Sequence, residues 1–475
     1  MLLGIVLIYS NPASQMVVPT LVPTLSLPPQ ETEAVADGNP ESSPKPSLTP
    51  EPTMTSTPEA TPTPSNTPTP SLTPTSFALS EPELITATPA FTNELPIPTA
   101  VPAVEVAPNA INLIVLGSDR RPDWSDWHTD AVHVISIQPE VPAVTVLSIP
   151  RDLYVYIPGY WMSRINFADL YGEAYGYEGG GPALLQQTLL YNLGIPVDHY
   201  ARTDFDGFIG IIDALGGIDI PVHCWLEDHW PYPDENGEYP LKTLEPGVHH
   251  MDGETALWYA RSRLTSSVFA RDQRQQQILQ AIWQQARRLA ILPRVPELWE
   301  QFRAAVVTDL ELSDVLMLAE MAFQLDGNNV RFYSIGYEAL EPWTTPYGGS
   351  VFLPNWEEIE PLVQEALGPI PEGRAYRTLQ TVEVWNGTSN GDWEQLAIDR
   401  LTRQGFAVVI GEPDRRDYAN TQLIDFTTTD KGSSVTFLQT MLGIWGGNLM
   451  SSPDPGASVH YRLIIGADYQ PCRSP

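Results

Sequence analysis

INLIVLGSDRRPDWSDWHTDAVHVISIQPEVPAVTVLSIP, residues 111–150, is the stretch on which the fold turns. It holds three short runs of Val, Ile and Leu, at Ile111–Gly117, Ala131–Ile137 and Ala143–Ile149, each bounded by turn-forming residues. Apolar runs of this length between turn signals read as buried strands. Helical patterns follow at 181–194, 205–217, 253–263 and 270–290, with further helices near 296–305, 313–324 and 355–367. Strands interleaved with helices in this way predict an α/β or mixed α/β (α+β layered) domain. From about Thr378 the pattern restarts. QTVEVWNGT (380–388), DWEQLAIDRLTRQG (392–405) and FAVVIGE (406–412) read as strand, helix and strand, and TQLIDFT, SSVTFLQTMLG and VHYRLIIGAD repeat that order. Two such units predict a small separate α/β domain, with LGPIPEGRAY (367–376) as its linker.

Upstream of Ile111 the composition changes. Between Asn11 and Ala107 lie nearly half of the chain's 47 prolines, in repeats such as TPEATPTPSNTPTPSLTPTS, and no Trp, Tyr or Cys. Such a segment cannot bury enough surface to offset chain entropy, so it is expected to be a disordered, extended spacer. The first ten residues, MLLGIVLIYS, are apolar but too short to span a bilayer. We read them as the remnant of an amino-terminal membrane anchor. The 475 residues carry a formal net charge of -33, which makes nucleic acid an unexpected partner, since affinity for it comes largely from neutralised phosphates. Cys224 and Cys472 fit no zinc spacing, and whether they pair is left open by the sequence.

Against that acidic balance, ARSRLTSSVFARDQRQQQIL (260–279) gathers Arg261, Arg263, Arg271 and Arg274. A helix starting after Ser266 and Ser267 puts Arg271 and Arg274 in its early turns, where the dipole disfavours cations by roughly 0.3–1 kcal/mol each. A bound phosphate or carboxylate would reverse that sign. Arg271, Arg274 and Gln275 share a face by i, i+3, i+4 spacing. Asp119 follows the first strand and Asp130 precedes the second, so adjacent strands would bring the two carboxylates to one sheet edge. Two close carboxylates need a cation or a shared proton, and hard oxygen donors suit Mg2+ or Mn2+. SIPRDLYVYIPGYWMSRIN adds Arg151, Asp152, Arg164 and Asn166 at a strand end, where loops carry function in open α/β sheets; Arg151 reads there as an anion ligand or as the partner of Asp152 in a surface salt bridge. His249 and His250 are expected in a turn, and His133 as a packed, satisfied strand histidine. No GxSxG elbow, P-loop or GxGxxG-to-helix signal occurs, which removes serine hydrolase, kinase and dehydrogenase readings.

Taken in order, NLIVLGSDRR, TDAVHVISI, VTVLSIPRDLYVYIPGY, RINFADLYG, LEPGVHHMDGETALWYARSR and RDQRQQQIL resemble the LytR-CpsA-Psr family, over about Asn112 to Leu289. The terminal unit resembles, more weakly, the LytR C-terminal domain. The resemblance implies a catalytic domain at 108–370 with a central mixed β-sheet flanked by helices, a small C-terminal α/β domain at 371–475, a spacer at 11–107 and an anchor remnant at 1–10. It implies a membrane-held, extracytoplasmic phosphotransferase. Its donor would be a glycopolymer on polyprenyl (undecaprenyl) diphosphate, and its acceptor peptidoglycan, joined through a phosphodiester. By the same resemblance Asp119 and Asp130 would hold Mg2+, with Mn2+ as the alternative ion. Arg151, Arg261, Arg263, Arg271 and Gln275 would bind the diphosphate, with Arg121, Arg164, Asn166 and Arg274 assisting, and an apolar tunnel would enclose the prenyl chain. This chain departs from the family pattern at His128, Ala131, Arg164 and Val268. A non-catalytic lipid-binding scaffold and an envelope-linked transcriptional attenuator are the alternative functions.

Overall fold

The computed structural model describes residues 96–121, 126–140, 142–290, 292–369, 380–427 and 434–472; the anchor remnant and most of the spacer lie outside the described residues. The three apolar runs form β1 (Ile111–Ser118), β2 (Thr129–Gln138) and β3 (Ala143–Ser148). β1 pairs antiparallel with β2, and β2 with β3. Ser118 stands opposite Thr129, so Asp119 and Asp130 flank the same end of the sheet.

Along the chain follow the ribbon β4 (Tyr154–Tyr156) and β5 (Met162–Arg164), α1 (Phe167–Ala174), α2 (Gly180–Leu193), β6 (His199–Thr203) and α3 (Phe205–Ala214). Next are β7 (Ile218–Val222), β8 (Leu226–His229), β9 (Leu241–Leu244), β10 (Gly247–Met251), α4 (Gly253–Arg261) and α5 (Val268–Arg288). The first unit closes with α6 (Val295–Ala305), β11 (Val306–Thr308), α7 (Leu312–Gln324), β12 (Val330–Ser334), β13 (Leu340–Thr344), β14 (Ser350–Pro354) and α8 (Trp356–Leu367). The central sheet runs β11–β6–β1–β2–β3–β12 and is mixed, since β6 lies parallel to β1 and β12 parallel to β3.

Successive side chains leave a strand on opposite faces. Leu113, Val115 and Ile135 pack among α3–α7, whereas Ile114, Leu116 and Val134 pack among α1, α2 and α8. Helices on both faces explain why these strands read as unbroken apolar runs. On the second face α1 and α2 approach closely because Gly181 has no Cβ; one there would sit 2.1 Å from an Asp169 carboxylate oxygen.

A second sheet, β16–β15–β19–β17–β18, comprises β15 (Thr381–Asn386), β16 (Ala407–Gly411), β17 (Gln422–Asp425), β18 (Leu449–Ser451) and β19 (Tyr461–Ile465). It packs α9 (Asp392–Arg403) and α10 (Val435–Leu442) over its own core of Val382, Val384, Leu401 and Leu463. This unit is fastened to the first. Cys224 and Cys472 form a disulfide across 248 residues, which settles the pairing the sequence left open. Asp399 of α9 is buried against His223 (2.8 Å), Arg403 (3.0 Å) and Gln277 of α5 (3.4 Å), and Arg403 also donates to Gln280 of α5 at 2.9 Å. Burial would raise the Asp399 carboxyl, but the Arg403 guanidinium and the His223 hydrogen bond outweigh it and hold the group at about 2.

Three readings from sequence need correction. His249 and His250 stand in β10, paired to β7, rather than in a turn. Residues 98–104 are not free spacer. The Val101 and Val104 amides donate to the carbonyls of Tyr191 and Gly194, and the Tyr191 hydroxyl donates to the Pro98 carbonyl. His133, taken as satisfied, is buried with its Nε2 unpartnered.

Candidate active site

α5 begins as its sequence dictates: the Ser267 side chain accepts from the Ala270 amide at 3.1 Å, a side-chain cap that fixes the first turn. That turn aims Arg271 at the end of the sheet where Asp119 and Asp130 lie. A polar cavity of about 280 Å3 opens there, lined by Asp130, Arg261, Arg263, Arg271 and Gln275. Arg151, at the end of β3, donates to Asp130 and reaches Asp152 at 3.3 Å. Arg164 joins the same network through Asp152 at 3.2 Å.

Like charges crowd this cavity. Arg263 is pushed below the ordinary guanidinium range, first by burial and then by the like charges of Arg151 and Arg271, with Asp130 and Asp152 opposing. Like charges are brought together only where something of opposite sign offsets them. Arg271 is 2% exposed, yet its Nε has no hydrogen-bond partner. Its one close partner is Asp272 at 3.4 Å, whose carboxyl burial raises to about 6 in spite of Arg271. An unsatisfied buried polar atom costs about 1–3 kcal/mol, a debt that a ligand oxygen would remove.

Two apolar cavities lie beyond the polar one, the first bordering it and the second meeting the first at a single wall residue. The first, of about 100 Å3, shares Asp130, Ala260, Arg261 and Gln275 with the polar cavity and is walled by Val115, Phe208, Ile211, Leu257, Ile278 and Ile282. The second, of about 90 Å3, shares Leu279 with the first and reaches Leu113, Ile135, Val146, Trp283 and Leu318. Both lie between the sheet and α5. His133 faces the first cavity. Its Nδ1 stands 2.9 Å from the Ser148 hydroxyl, which itself accepts from Gln276 at 2.7 Å. The hydroxyl proton is therefore available to Nδ1, and the imidazole proton stays on the unpartnered Nε2. Burial lowers the ring to about 4, so it is a neutral donor near neutral pH.

Other sequence-selected residues stand elsewhere. Arg274 does not line the polar cavity: its guanidinium donates to the carbonyls of Tyr259, at 2.8 Å, and Ser262. Those are orphan acceptors at the carboxyl end of α4, where a cation is favoured. Its apparent misplacement early in α5 is thus resolved by a neighbouring helix end. Arg121 is exposed beyond β1, within electrostatic reach of Tyr232. Asn166 is buried with its Oδ1 unpartnered and caps no helix by side chain, so it joins the site only through its amide, which meets the Arg151 carbonyl at 3.4 Å.

Asp152, which the sequence offers as an ion-pair partner of Arg151, bridges Arg151 and Arg164. Other participants are not evident from the sequence. Asp228 fixes the Arg263 loop by accepting from the Arg263 and Leu264 amides at 2.6 and 3.2 Å. Asp169 receives Thr129 at 2.8 Å and Arg202 at 2.7 Å, buttressing β2 immediately beside Asp130. A lone acid within the apolar FADLY segment was the available signal. As for a metal, no group of three or more His, Cys, Asp or Glu side chains among the described residues is poised to hold one. Asp119, which accepts from the His128 amide, and Asp130, which accepts from Arg151, are the two carboxylates at this sheet end that would hold an ion drawing its remaining ligands from water and phosphate.

Comparison with known proteins now bears on this geometry. The LytR_cpsA_psr family model matches residues 91–364, more than half of the chain. The chain belongs to this family. It is 31% identical over 212 residues to the polyisoprenyl-teichoic acid–peptidoglycan teichoic acid transferase TagU of Oceanobacillus iheyensis, covering 44% of this chain and 62% of that protein. To the Bacillus subtilis transferase TagT it is 26% identical over 262 residues, 54% of this chain and 76% of the relative. It thus spans a little under two thirds of the TagU relative. The crystal structure of B. subtilis TagV superimposes with a TM-score of 0.45 at 26% identity, over 55% of this chain and 98% of that one.

Proposed function

We propose that this chain is a phosphotransferase that moves a glycopolymer from a polyprenyl diphosphate carrier to peptidoglycan, on the extracytoplasmic side of a membrane. The observation that carries this reading is the convergence of Arg261, Arg263 and Arg271 on a polar cavity, with Arg151 held at its Asp130 wall, bordered by an apolar cavity beside α5. An anionic headgroup on a long hydrocarbon has that shape: charge at one end, apolar surface behind it. The transferase names carried by the TagU and TagT relatives support the same substrate class. The Cys224–Cys472 disulfide supports an oxidising compartment.

The reaction asks for positioning and charge neutralisation more than for covalent help. An acceptor hydroxyl oxygen bonds to the glycan-side phosphorus as the bridging P–O bond breaks. Polyprenyl phosphate leaves with the electron pair, and the hydroxyl proton passes to it or to solvent. Arg263 and Arg271 neutralise charge on the phosphate oxygens, and Gln275 orients them. Arg151, held by Asp130 and Asp152, sets the carboxylate geometry. Asp119 and Asp130 would hold Mg2+ or Mn2+, which supplies further neutralisation of the diphosphate when bound.

Incubating the full chain with lipid-linked glycopolymer, Mg2+ and peptidoglycan tests the proposal. Wild type should form the phosphodiester product, and Arg263→Ala and Asp130→Ala should abolish it with near-native melting temperatures. Undiminished transfer by either variant, or binding of donor by wild type without any transfer, contradicts the assignment.

A further inference from the structure

At the same end of the sheet, but on the opposite face from the apolar cavities, half-buried and exposed aromatic rings form a continuous cluster. The His128 ring, beside Asp119, meets Phe167 edge-on at 4.9 Å, and the Arg164 guanidinium lies over the same ring at 4.9 Å. From Phe167 the cluster passes to Tyr171 at 5.5 Å and on to Trp161 at 5.1 Å and Tyr175 at 5.8 Å. Tyr160 sits 5.5 Å from Tyr175. Tyr175 is 60% exposed, at the end of α1, and the rings rest on the core formed with α1 and α2. The Tyr160 hydroxyl is raised by burial and then by the neighbouring hydroxyls of Tyr177 and Tyr175.

Of these rings Tyr175 is exposed and the others half-buried, and an aromatic surface open to solvent beside a polar site suits an interaction partner. Aromatic faces are electron-rich and rigid, and they suit the weakly positive C–H face of a pyranose while phenol hydroxyls take its polar rim. Position decides which glycan. The carrier's hydrocarbon belongs on the α5 face, where the apolar cavities run. Attacking and leaving oxygens lie roughly in line across the phosphorus. With lipid phosphate departing toward α5, the nucleophile arrives from the α1 face.

We propose that Trp161, Tyr171 and Tyr175 form a stacking platform for the acceptor glycan strand, delivering its hydroxyl toward the Arg164–Asp152–Arg151 edge of the site. This rests on the phosphotransferase reading for the choice of acceptor over donor.

The test uses soluble, lipid-free peptidoglycan glycan strands as the probe, titrated into the full chain and followed by tryptophan fluorescence, with polyprenyl diphosphate titrated in parallel. Trp161→Ala and Tyr175→Ala should each weaken strand binding by about tenfold, the effect of losing one well-packed aromatic contact, while Trp161→Phe retains most of it. Affinity for polyprenyl diphosphate should stay unchanged, and in transfer assays the acceptor KM should rise while kcat is kept. No strand binding by wild type, unchanged strand affinity in both alanine variants, or a parallel loss of donor affinity would overturn the platform. Strand binding lost in the variants of a protein that transfers nothing would support the platform while removing the phosphotransferase reading.

Discussion

Two stretches of α5, less than two turns apart, bury charge in opposite ways. Toward its amino end Arg271 and Asp272 are buried with Nε and Oδ2 unpartnered, and Arg271 faces a cavity among other guanidinium groups. Further along, Gln277 and Gln280 meet Asp399 and Arg403 of the second unit, and Asp399 has three partners in place. The Asp399 carboxylate, with its partners in place, helps hold two units together, and His223 Nδ1 is the atom left over there, whereas Arg271 Nε and Asp272 Oδ2 are left over together beside a cluster of guanidinium groups. Buried polarity is therefore informative only once its partners are counted.

The comparison breaks most readily at Asp399. Asp399→Ala should lower stability by about 3–5 kcal/mol, because it strands a half-buried Arg403 and His223, and denaturant unfolding measures it. A smaller loss, about 2–4 kcal/mol, is expected when Cys224 and Cys472 are both changed to Ser, measured by the same unfolding curves. The double variant Arg271→Gln with Asp272→Asn should behave oppositely. Its melting temperature should hold or rise, and its affinity for polyprenyl diphosphate should fall roughly a hundredfold, as when a charge-assisted contact of about 2–3 kcal/mol is removed.

The smallest effects are in pH dependence. Asp399, depressed to about 2, contributes stability that is present above its unfolded range and lost as pH falls toward 2. His133, depressed to about 4, acts with the same sign: its contribution is present above the unfolded histidine range and lost as pH falls through 4. Asp272, raised to about 6, acts with the opposite sign, favouring the fold at low pH and losing that contribution as pH rises through 6. Between about pH 4 and 6 these last two offset one another. Asp272→Asn should therefore expose a steeper rise of stability with pH across that window in thermal melts.

Much of this organisation was legible in the sequence, for physical reasons. The three central strands are buried on both faces, so their apolar runs are unbroken, and their antiparallel order alone brings Asp119 and Asp130 to one edge. The Ser267 cap announced where α5 begins. What the sequence could not supply were long-range partners. Arg271 and Arg274 look alike by spacing, yet one faces a cavity and the other closes the end of α4, a difference set by tertiary packing. Nor does helical periodicity reveal that Gln277 meets Asp399, or that Cys224 meets Cys472, since neither neighbour is local. His133 was misjudged because a histidine in an apolar strand is usually satisfied, and only the Ser148–Gln276 chain shows which nitrogen is left over.

On the proposed reading, α5 and the end of the sheet grip a diphosphate beside an apolar cavity. Calorimetric titration of the full chain with polyprenyl diphosphate, and with the same polyprenol lacking phosphate, separates headgroup from hydrocarbon. Tight binding of the diphosphate is expected, with at least a hundredfold weaker binding of the alcohol on loss of charge-assisted contacts, and loss of this discrimination in Arg271→Gln with Asp272→Asn. Equal affinity of wild type for the two lipids would rule out a diphosphate grip.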